Sequence, residues 1–524
     1  METALRKLPI GIQDFEDLRR KGFLYVDKTD YLWRLVTEGK PYFLSRPRRF
    51  GKSLFLTTLK AYFQGKKELF NGLAIAERET AWQEYPVLHL DFNPSAYDSA
   101  ASLDGFIGDC LARIEEAHGL EATGSTTGSR FRNLIENIYK KTGQQAVILV
   151  DEYDKPLLES MGNETLNAEL RAVLKPFYGV LKSADAFLRF VMLTGVTRFS
   201  KVSIFSDMNQ LKEIGLSQNY AGICGITEKE LLDNFTPELE ALAEANGESF
   251  DETLFAMRKN FNGYHFARNS ESVYNPFSVL NTFSARDVQY YWFATGTPTF
   301  LFKELERTGF ELLPFRDGIE VPEAAVNDYQ PGDVTPVPLL YQSGYLTITD
   351  YDKEIRSYRL GFPNEEVKYG FLNNLYNYLF PQTRMVNGLN AWTFIKALRA
   401  GDAEGFLTQL KAFFASIPYD LYFAKGESYY QTIFYLVFTL LGQFVESEVR
   451  SAAGRADAVV KMRDAVYVFE FKLGKGGSAE DALKQIDEKG YLVPYSADGK
   501  KLVKAGVVFD TETRTLGEWK MVNA

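Results

Sequence analysis

The sequence predicts an α/β protein of several domains, and three observations carry that prediction. Two apolar runs of strand length, Ala146–Val150 and Phe187–Leu193, each end in polar residues, as parallel strands buried on both faces do. Tyr42–Leu59 reads strand, loop, helix, the unit from which such sheets are built. Near the C-terminus, two further apolar strands enclose three ionisable groups, which marks a second, separate α/β domain. Between these regions the chain is helical and aromatic.

Taken in order, Tyr42-Phe43-Leu44-Ser45 is the first strand, and it feeds Arg46-Pro47-Arg48-Arg49-Phe50-Gly51-Lys52-Ser53 before Leu54–Leu59 opens a helix. The second half of that loop has phosphate-binding chemistry. Gly51 lets the backbone approach phosphates, Lys52 reaches β/γ oxygens, Ser53 can hold Mg²⁺, and the helix N-terminus adds its dipole. Arg46 stands where the usual pattern has its first glycine. Arg46, Arg48 and Arg49 add positive charge where a polyphosphate would lie.

The strand Ala146–Val150 ends in Asp151-Glu152-Tyr153-Asp154, which matches a Walker B strand. Asp151 would reach the Mg²⁺ held by Ser53, and Glu152 would polarise the attacking water. Phe187–Leu193 ends in Thr194-Gly195-Val196-Thr197-Arg198. Ligands of open α/β sheets bind at such strand ends, so Thr194 is expected to sense a γ-phosphate and Arg198 to contact it.

At the other end, Gly454-Arg455-Ala456-Asp457 precedes a hairpin that returns as Val466–Leu473 with Glu470 and Lys472 inside it. Alternation puts Glu470 and Lys472 on the face of Val468, with Phe469, Phe471 and Leu473 on the other. Asp457 on the neighbouring strand can then stand beside Glu470. Two hard oxygen ligands suit Mg²⁺ or Mn²⁺, and an adjacent lysine can orient a water or stabilise phosphate charge. This segment resembles the PD-(D/E)XK nuclease superfamily. The resemblance assigns Asp457 and Glu470 to metal, Lys472 to catalysis, and Gln485, on a helix Ala479–Lys489, to the same site. A helix Tyr429–Phe444 is expected to end near Glu446 and Glu448, either of which could add a carboxylate, with Glu448 preferred.

The N-terminal part resembles the AAA-ATPase-like domain that bacterial proteins fuse to such a nuclease module. The likeness is carried by Leu8-Pro9-Ile10-Gly11, Tyr25-Val26-Asp27-Lys28-Thr29, the Arg46–Ser53 loop, Phe261-Asn262-Gly263-Tyr264-His265-Phe266 and Tyr274-Asn275-Pro276-Phe277-Ser278. It implies a P-loop NTPase parallel sheet with a helical lid, a helical middle region and a C-terminal restriction-endonuclease-like α/β domain. The expected division is 1–225 for the ATPase-like core, 226–335 for the lid, 336–425 for a connecting region and 426–524 for the nuclease-like domain. Within the lid, Thr227 and Glu230 form a capping box for a helix to Phe235, and Thr236-Pro237 opens a second to Ala245. A hairpin is expected from Tyr345–Ile348 to Tyr358–Leu360, then helices from Glu365 to Ala415.

Composition narrows the rest. With 41 Phe and 30 Tyr in 524 residues the chain is not disordered, and Cys110 and Cys224 alone exclude a disulfide scaffold or Cys-rich zinc site. No apolar run approaches the roughly 20 residues of a membrane helix, so a bacterial cytoplasmic protein without membrane contact is expected. A net charge of −10 opposes nonspecific nucleic-acid binding, although Lys472, Lys475, Lys484 and Lys489 supply local positive charge. His89, His118 and His265 share no metal-ligand spacing, and His89 reads as a satisfied core residue. The expected function is ATP binding and hydrolysis joined to Mg²⁺- or Mn²⁺-dependent cleavage of nucleic acid, DNA ahead of RNA, with a homo-oligomer left open. Defence or mobile-element biology is an association of the family only. The alternative is a nucleotide-dependent switch whose nuclease-like domain docks nucleic acid or protein without appreciable cleavage.

Overall fold

The computed structural model describes residues 6–198, 210–293, 299–309, 314–327, 329, 333–379, 389–415, 436–440, 446–449, 457–462, 464–497, 499–513 and 515–524. The chain divides into two compact units, Met1–Thr308 with Gly318–Lys368, and Gly309–Asp317 with Tyr369–Ala524.

In the first unit, strands β1 (Pro41–Ser45), β2 (Val87–Asp91), β3 (Ala146–Asp151), β4 (Leu188–Gly195) and β5 (Lys212–Glu213) form a parallel sheet in the order β2-β3-β4-β1-β5. All of β3 is buried, as its Val-Ile-Leu-Val run requires. The order places the ends of β3, β4 and β1 side by side, so Asp151, Thr194 and the loop after Ser45 occupy one edge. Four helices, Lys52–Phe63, Ala100–His118, Thr127–Thr142 and Glu164–Ser183, follow from the amphipathic stretches between the strands. Two of them start with reciprocal caps, Ser99 with Ser102 and Thr126 with Ser129.

The short strands β6 (Ile226–Thr227) and β7 (Val273–Tyr274) pair antiparallel and frame the helical extension. Thr227 and Glu230 form the expected capping box at the start of Glu228–Asn246, and the backbone leaves the helical region at Phe235 (φ −127°, ψ 16°), so two helices meet there at a kink, as expected. The break lies two residues before Pro237, whose fixed φ suits the first turn of the second helix. The Thr236 hydroxyl does not cap that second helix but donates back to the Leu232 carbonyl at 2.6 Å, across the kink. Phe235, Leu239 and Leu242 pack into one apolar cluster with Met257, Phe261 and Phe283, which holds the two halves together. The expected hairpin is present as β9 (Thr347–Asp352) and β10 (Ser357–Gly361), joined at its edge by β8 (Ile319–Pro322).

The second unit carries a mixed sheet, β11 (Glu446–Val449), β12 (Ala458–Lys461), β13 (Ala465–Leu473), β14 (Lys501–Asp510) and β15 (Thr515–Asn523), in sequence order. Only β13 and β14 run parallel, and the helix Ala479–Glu488 makes their crossover. Leu483 and Ile486 of that helix pack on Val459, Val466 and Val468. On the opposite face, Phe469 meets Phe406 and Phe438 with centroids 5.5 Å apart in both pairs. Residues 436–440 are helical, and the remainder of the expected helix 429–444 lies outside the described residues. Glu446 and Glu448 stand on a strand, not in a helix-end loop. Strand β15 has no counterpart in the sequence reading, because its outer half alternates between half-buried and exposed positions and lacks an apolar run.

Candidate functional site

In the second unit, β13 carries Glu470 at the end of its buried stretch, with the side chain 3% exposed. Lys472 lies two residues on, on the same face. Burial of Ala482, Leu483 and Ile486 fixes the rotation of the helix Ala479–Glu488 and turns Gln485 toward them. The Gln485 amide donates to Glu470 Oε1 while its own oxygen accepts from Lys472 Nζ, and that ammonium stands 3.8 Å from the same Glu470 oxygen. Asp457, just ahead of β12, accepts the Phe471 amide at 2.8 Å through Oδ2, which places its carboxylate against β13.

Burial, reinforced by the Asp457 charge, pushes the Glu470 carboxyl up to about 7, while Lys472 and Gln485 oppose that shift. Glu470 Oε2 is buried with no hydrogen-bond partner among the described residues. A buried carboxylate oxygen without a donor, beside a second carboxylate, suits a hard divalent cation. Among the described residues no group of three or more His, Cys, Asp or Glu side chains could hold a metal ion. Glu448 stands opposite Val459 in the strand register; its side chain lies outside the described residues.

In the first unit, a cleft of about 520 Å³ opens over the ends of β1, β3 and β4. Arg48, Arg49, Gly51, Lys52, Ser53 and Glu152 all reach it. Gly51 has φ +95° at the N-cap of Lys52–Phe63, a conformation that favours glycine, and no side chain caps that helix. Its first-turn amides are therefore open to an anionic ligand. Lys52 is buried and its ammonium donates to the Arg46 and Pro47 carbonyls, 3.0 Å each, so the loop is wrapped around it. Asp151 accepts the Thr194 hydroxyl at 2.5 Å and the Glu152 amide at 3.1 Å. Glu152 itself is held at φ +51°, a strained backbone for a non-glycine residue, at the cleft wall.

Three expectations need correction. Arg46 does not face the cleft: it is 1% exposed and donates to the carbonyls of Ser45, Gly215, Tyr220 and Ala221, with its guanidinium 4.0 Å from the Phe266 ring centroid. A buried guanidinium needs that many acceptors, and the loop side offers carbonyls already committed to Lys52. Thr194 is fully buried and spends its hydroxyl on Asp151, not on a ligand position. Arg198 points to Glu213, 3.4 Å away, in a small pocket separate from the cleft.

Sequence reasoning missed the opposite wall. Phe277, Trp292, Phe293 and Tyr345 line the cleft, and Gly344 (φ +87°) brings the last of them in, since a Cβ there would lie 2.6 Å from Pro47. These aromatics sit far from the loop in sequence, and only Phe277 falls in a quoted segment, Tyr274–Ser278, which gave it no role. Asp154 was quoted in the strand-end motif without a role. It is buried, accepts the Val196 and Thr197 amides and the Thr197 hydroxyl, and ties the end of β3 to that of β4; burial pushes its carboxyl up to about 6. His89 is not satisfied as expected, because its buried Nε2 has no partner among the described residues, and burial lowers its pKa.

Residues 9–205 match a family model described as predicted AAA-ATPase, and residues 425–519 match the PD-(D/E)XK nuclease superfamily. A protein of Azotobacter chroococcum mcd 1, described as an uncharacterized protein in the vnfD 5′ region, is 39% identical over 519 residues, 98% of this chain and 98% of that protein. The chain belongs to this family of AAA-ATPase-like proteins with a C-terminal PD-(D/E)XK nuclease domain. The AAA-ATPase match contains the whole phosphate loop, Asp151 and Glu152, and the nuclease match contains Asp457, Glu470, Lys472 and Gln485. Two quoted segments of the family, Phe261–Phe266 and Tyr274–Ser278, lie between the matches. The first packs on the loop: Phe50 makes edge contacts with Tyr264 and Phe266, 4.8 and 5.5 Å between centroids. Among the described residues no helix is long and apolar enough to cross a membrane.

Proposed function

We propose that the protein binds and hydrolyses ATP and cleaves phosphodiester bonds of nucleic acid, DNA ahead of RNA, with Mg²⁺ or Mn²⁺ as cofactor. The observation that carries this is the convergence of Asp457, Glu470, Lys472 and Gln485 around a buried carboxylate oxygen without a partner. Asp457 and Glu470 would hold the cation, which when bound supplies Lewis-acid chemistry to a water and a phosphate oxygen. Gln485 keeps Glu470 and Lys472 aligned. Lys472, released from the glutamine, can donate to the charge that grows on the phosphate. In the first unit Lys52 would exchange its loop carbonyls for phosphate oxygens, Ser53 and Asp151 would hold the Mg²⁺ that accompanies the nucleotide, and Glu152 would orient the attacking water.

The test is to incubate the full-length protein with single- and double-stranded DNA and RNA, with and without Mg²⁺, Mn²⁺ and ATP. Divalent-dependent cleavage that disappears in Glu470→Ala supports the proposal. ATP turnover without cleavage of any form would favour a nucleotide-dependent switch with a docking module.

A further inference from the structure

Glu366 is fully buried in the first unit, in the first turn of the helix Glu365–Leu379, and no basic side chain among the described residues pairs with it. An ionisable group so placed is costly, and packing alone would favour an apolar residue. Its oxygens are used elsewhere. They accept the Ser278 hydroxyl at 2.9 and 2.7 Å and the Trp292 amide at 2.9 Å.

Those two donors belong to the two segments that reach across to the phosphate loop. Ser278 follows Phe277, whose ring lies 5.0 Å from the Arg49 guanidinium. Trp292 donates its indole N–H to the Arg48 carbonyl at 3.3 Å and packs on Tyr345 with centroids 5.3 Å apart. Phe277, Trp292 and Tyr345 all line the cleft. One carboxyl thus pins both segments of the aromatic wall, and each segment touches an arginine of the loop.

We infer that Glu366 is a positioning residue for nucleotide, setting the Phe277–Trp292 wall against the Arg48–Arg49 side of the phosphate loop. The inference rests on the nucleotide reading of the cleft given above. Burial pushes the Glu366 carboxyl up to about 7, so a glutamine, which keeps an acceptor for the Trp292 amide, is a close substitute.

The experiment is Mg²⁺-ATP binding by calorimetry on full-length wild type, Lys52→Ala, Glu366→Ala, Glu366→Gln, Trp292→Leu and the Glu366→Ala/Trp292→Leu pair, each with its melting temperature. Glu366→Ala is expected to weaken ATP about tenfold and Glu366→Gln less than about threefold, the scale of one or two buried hydrogen bonds. The double variant is expected to bind no more weakly than Trp292→Leu, because both changes act through one contact. If Glu366→Ala does not fold, Ser278→Ala and Glu366→Gln/Trp292→Leu replace it, with Ser278→Ala expected to weaken ATP about threefold. Wild-type affinity in Glu366→Ala or Ser278→Ala, or full additivity with Trp292→Leu, overturns the inference while the nucleotide reading stands, provided Lys52→Ala has lost binding. Absence of binding by wild type removes both.

Discussion

The two candidate sites of this chain hold charge in opposite ways. In the nuclease unit the Glu470, Gln485 and Lys472 side chains satisfy one another directly, Asp457 is anchored beside them by the Phe471 amide, and one buried Glu470 oxygen is left over. In the ATPase unit the charged side chains are held by backbone: Lys52 by two loop carbonyls, Arg46 by four carbonyls, Asp151 partly by an amide. A site made of mutual side-chain contacts loses its function when any one member is removed. A site made by a loop conformation depends unequally on its members, since some shape the loop and others meet the ligand. Mutation should therefore separate roles in the first unit and fail to separate them in the second.

The largest effect is expected in the nuclease unit. Asp457→Ala, Glu470→Ala and Lys472→Ala should each reduce divalent-dependent cleavage by about 10³-fold or more, the scale of removing a metal ligand or charge-stabilising group. The melting temperature of Glu470→Ala without metal should not fall, because the substitution removes a buried carboxyl that opposes Asp457. Cleavage by Glu470→Ala at the wild-type rate would end the assignment.

Next in size is the split within the ATPase unit. Lys52→Ala should weaken ATP by about 100-fold or more, as loss of an ammonium at the phosphates implies. Glu152→Gln should bind ATP as wild type does and lose turnover, a separation read by pairing calorimetry with phosphate release. Equal loss of binding in both variants would mean that the strained turn at Glu152 shapes the cleft and has no part in hydrolysis.

This asymmetry also decided how much could be read from the sequence. Asp457, Glu470 and Lys472 were legible because apolar strands carry charges where apolar residues belong, and Gln485 only through the resemblance to the nuclease superfamily, which implies a glutamine on the following helix. The parallel strands and their polar ends were equally plain. Arg46 misled because a basic loop looks the same in sequence whether its arginines point to a ligand or back to carbonyls. Thr194 and Arg198 misled for a similar reason: strand-end position was right, but their side chains found Asp151 and Glu213 first. The aromatic wall was invisible, since Phe277, Trp292 and Tyr345 are brought together only by tertiary packing.

A smaller, continuous effect is expected with pH. The folded-state pKa of Glu470 is about 7, above its ordinary value of 4.5, so between those values the folded protein binds more protons at this group than the unfolded chain. Stability from this group is therefore greatest at acid pH and declines as pH rises toward 7. Metal binding runs the other way, because the cation needs the ionised carboxylate. Cleavage at limiting Mg²⁺ should thus rise up to about tenfold per pH unit below 7 and level above it, as one deprotonation requires. A profile flat from pH 5 to 8, with divalent dependence intact, would show that Glu470 is not the titrating ligand.

The smallest predicted effect is the most direct test of the comparison, because it sets two arginines of one loop against each other. Arg49 lines the cleft and rests over Phe277, so Arg49→Ala should leave the melting temperature nearly unchanged and weaken ATP by about threefold to tenfold, the range of one charge-assisted contact. Arg46→Ala leaves three buried carbonyls and the half-buried one of Ser45 without their donor, and a gap beside Phe266. It should cost about 3 kcal/mol of stability, yet at a temperature where the variant is fully folded its ATP affinity should lie within about threefold of wild type. Stability is measured by thermal and urea unfolding, and affinity by calorimetry on the folded fraction. Should Arg46→Ala keep its fold and lose ATP while Arg49→Ala changes nothing, the arginine in place of glycine acts on nucleotide after all, and the division between loop-shaping and ligand-meeting residues fails at its clearest pair.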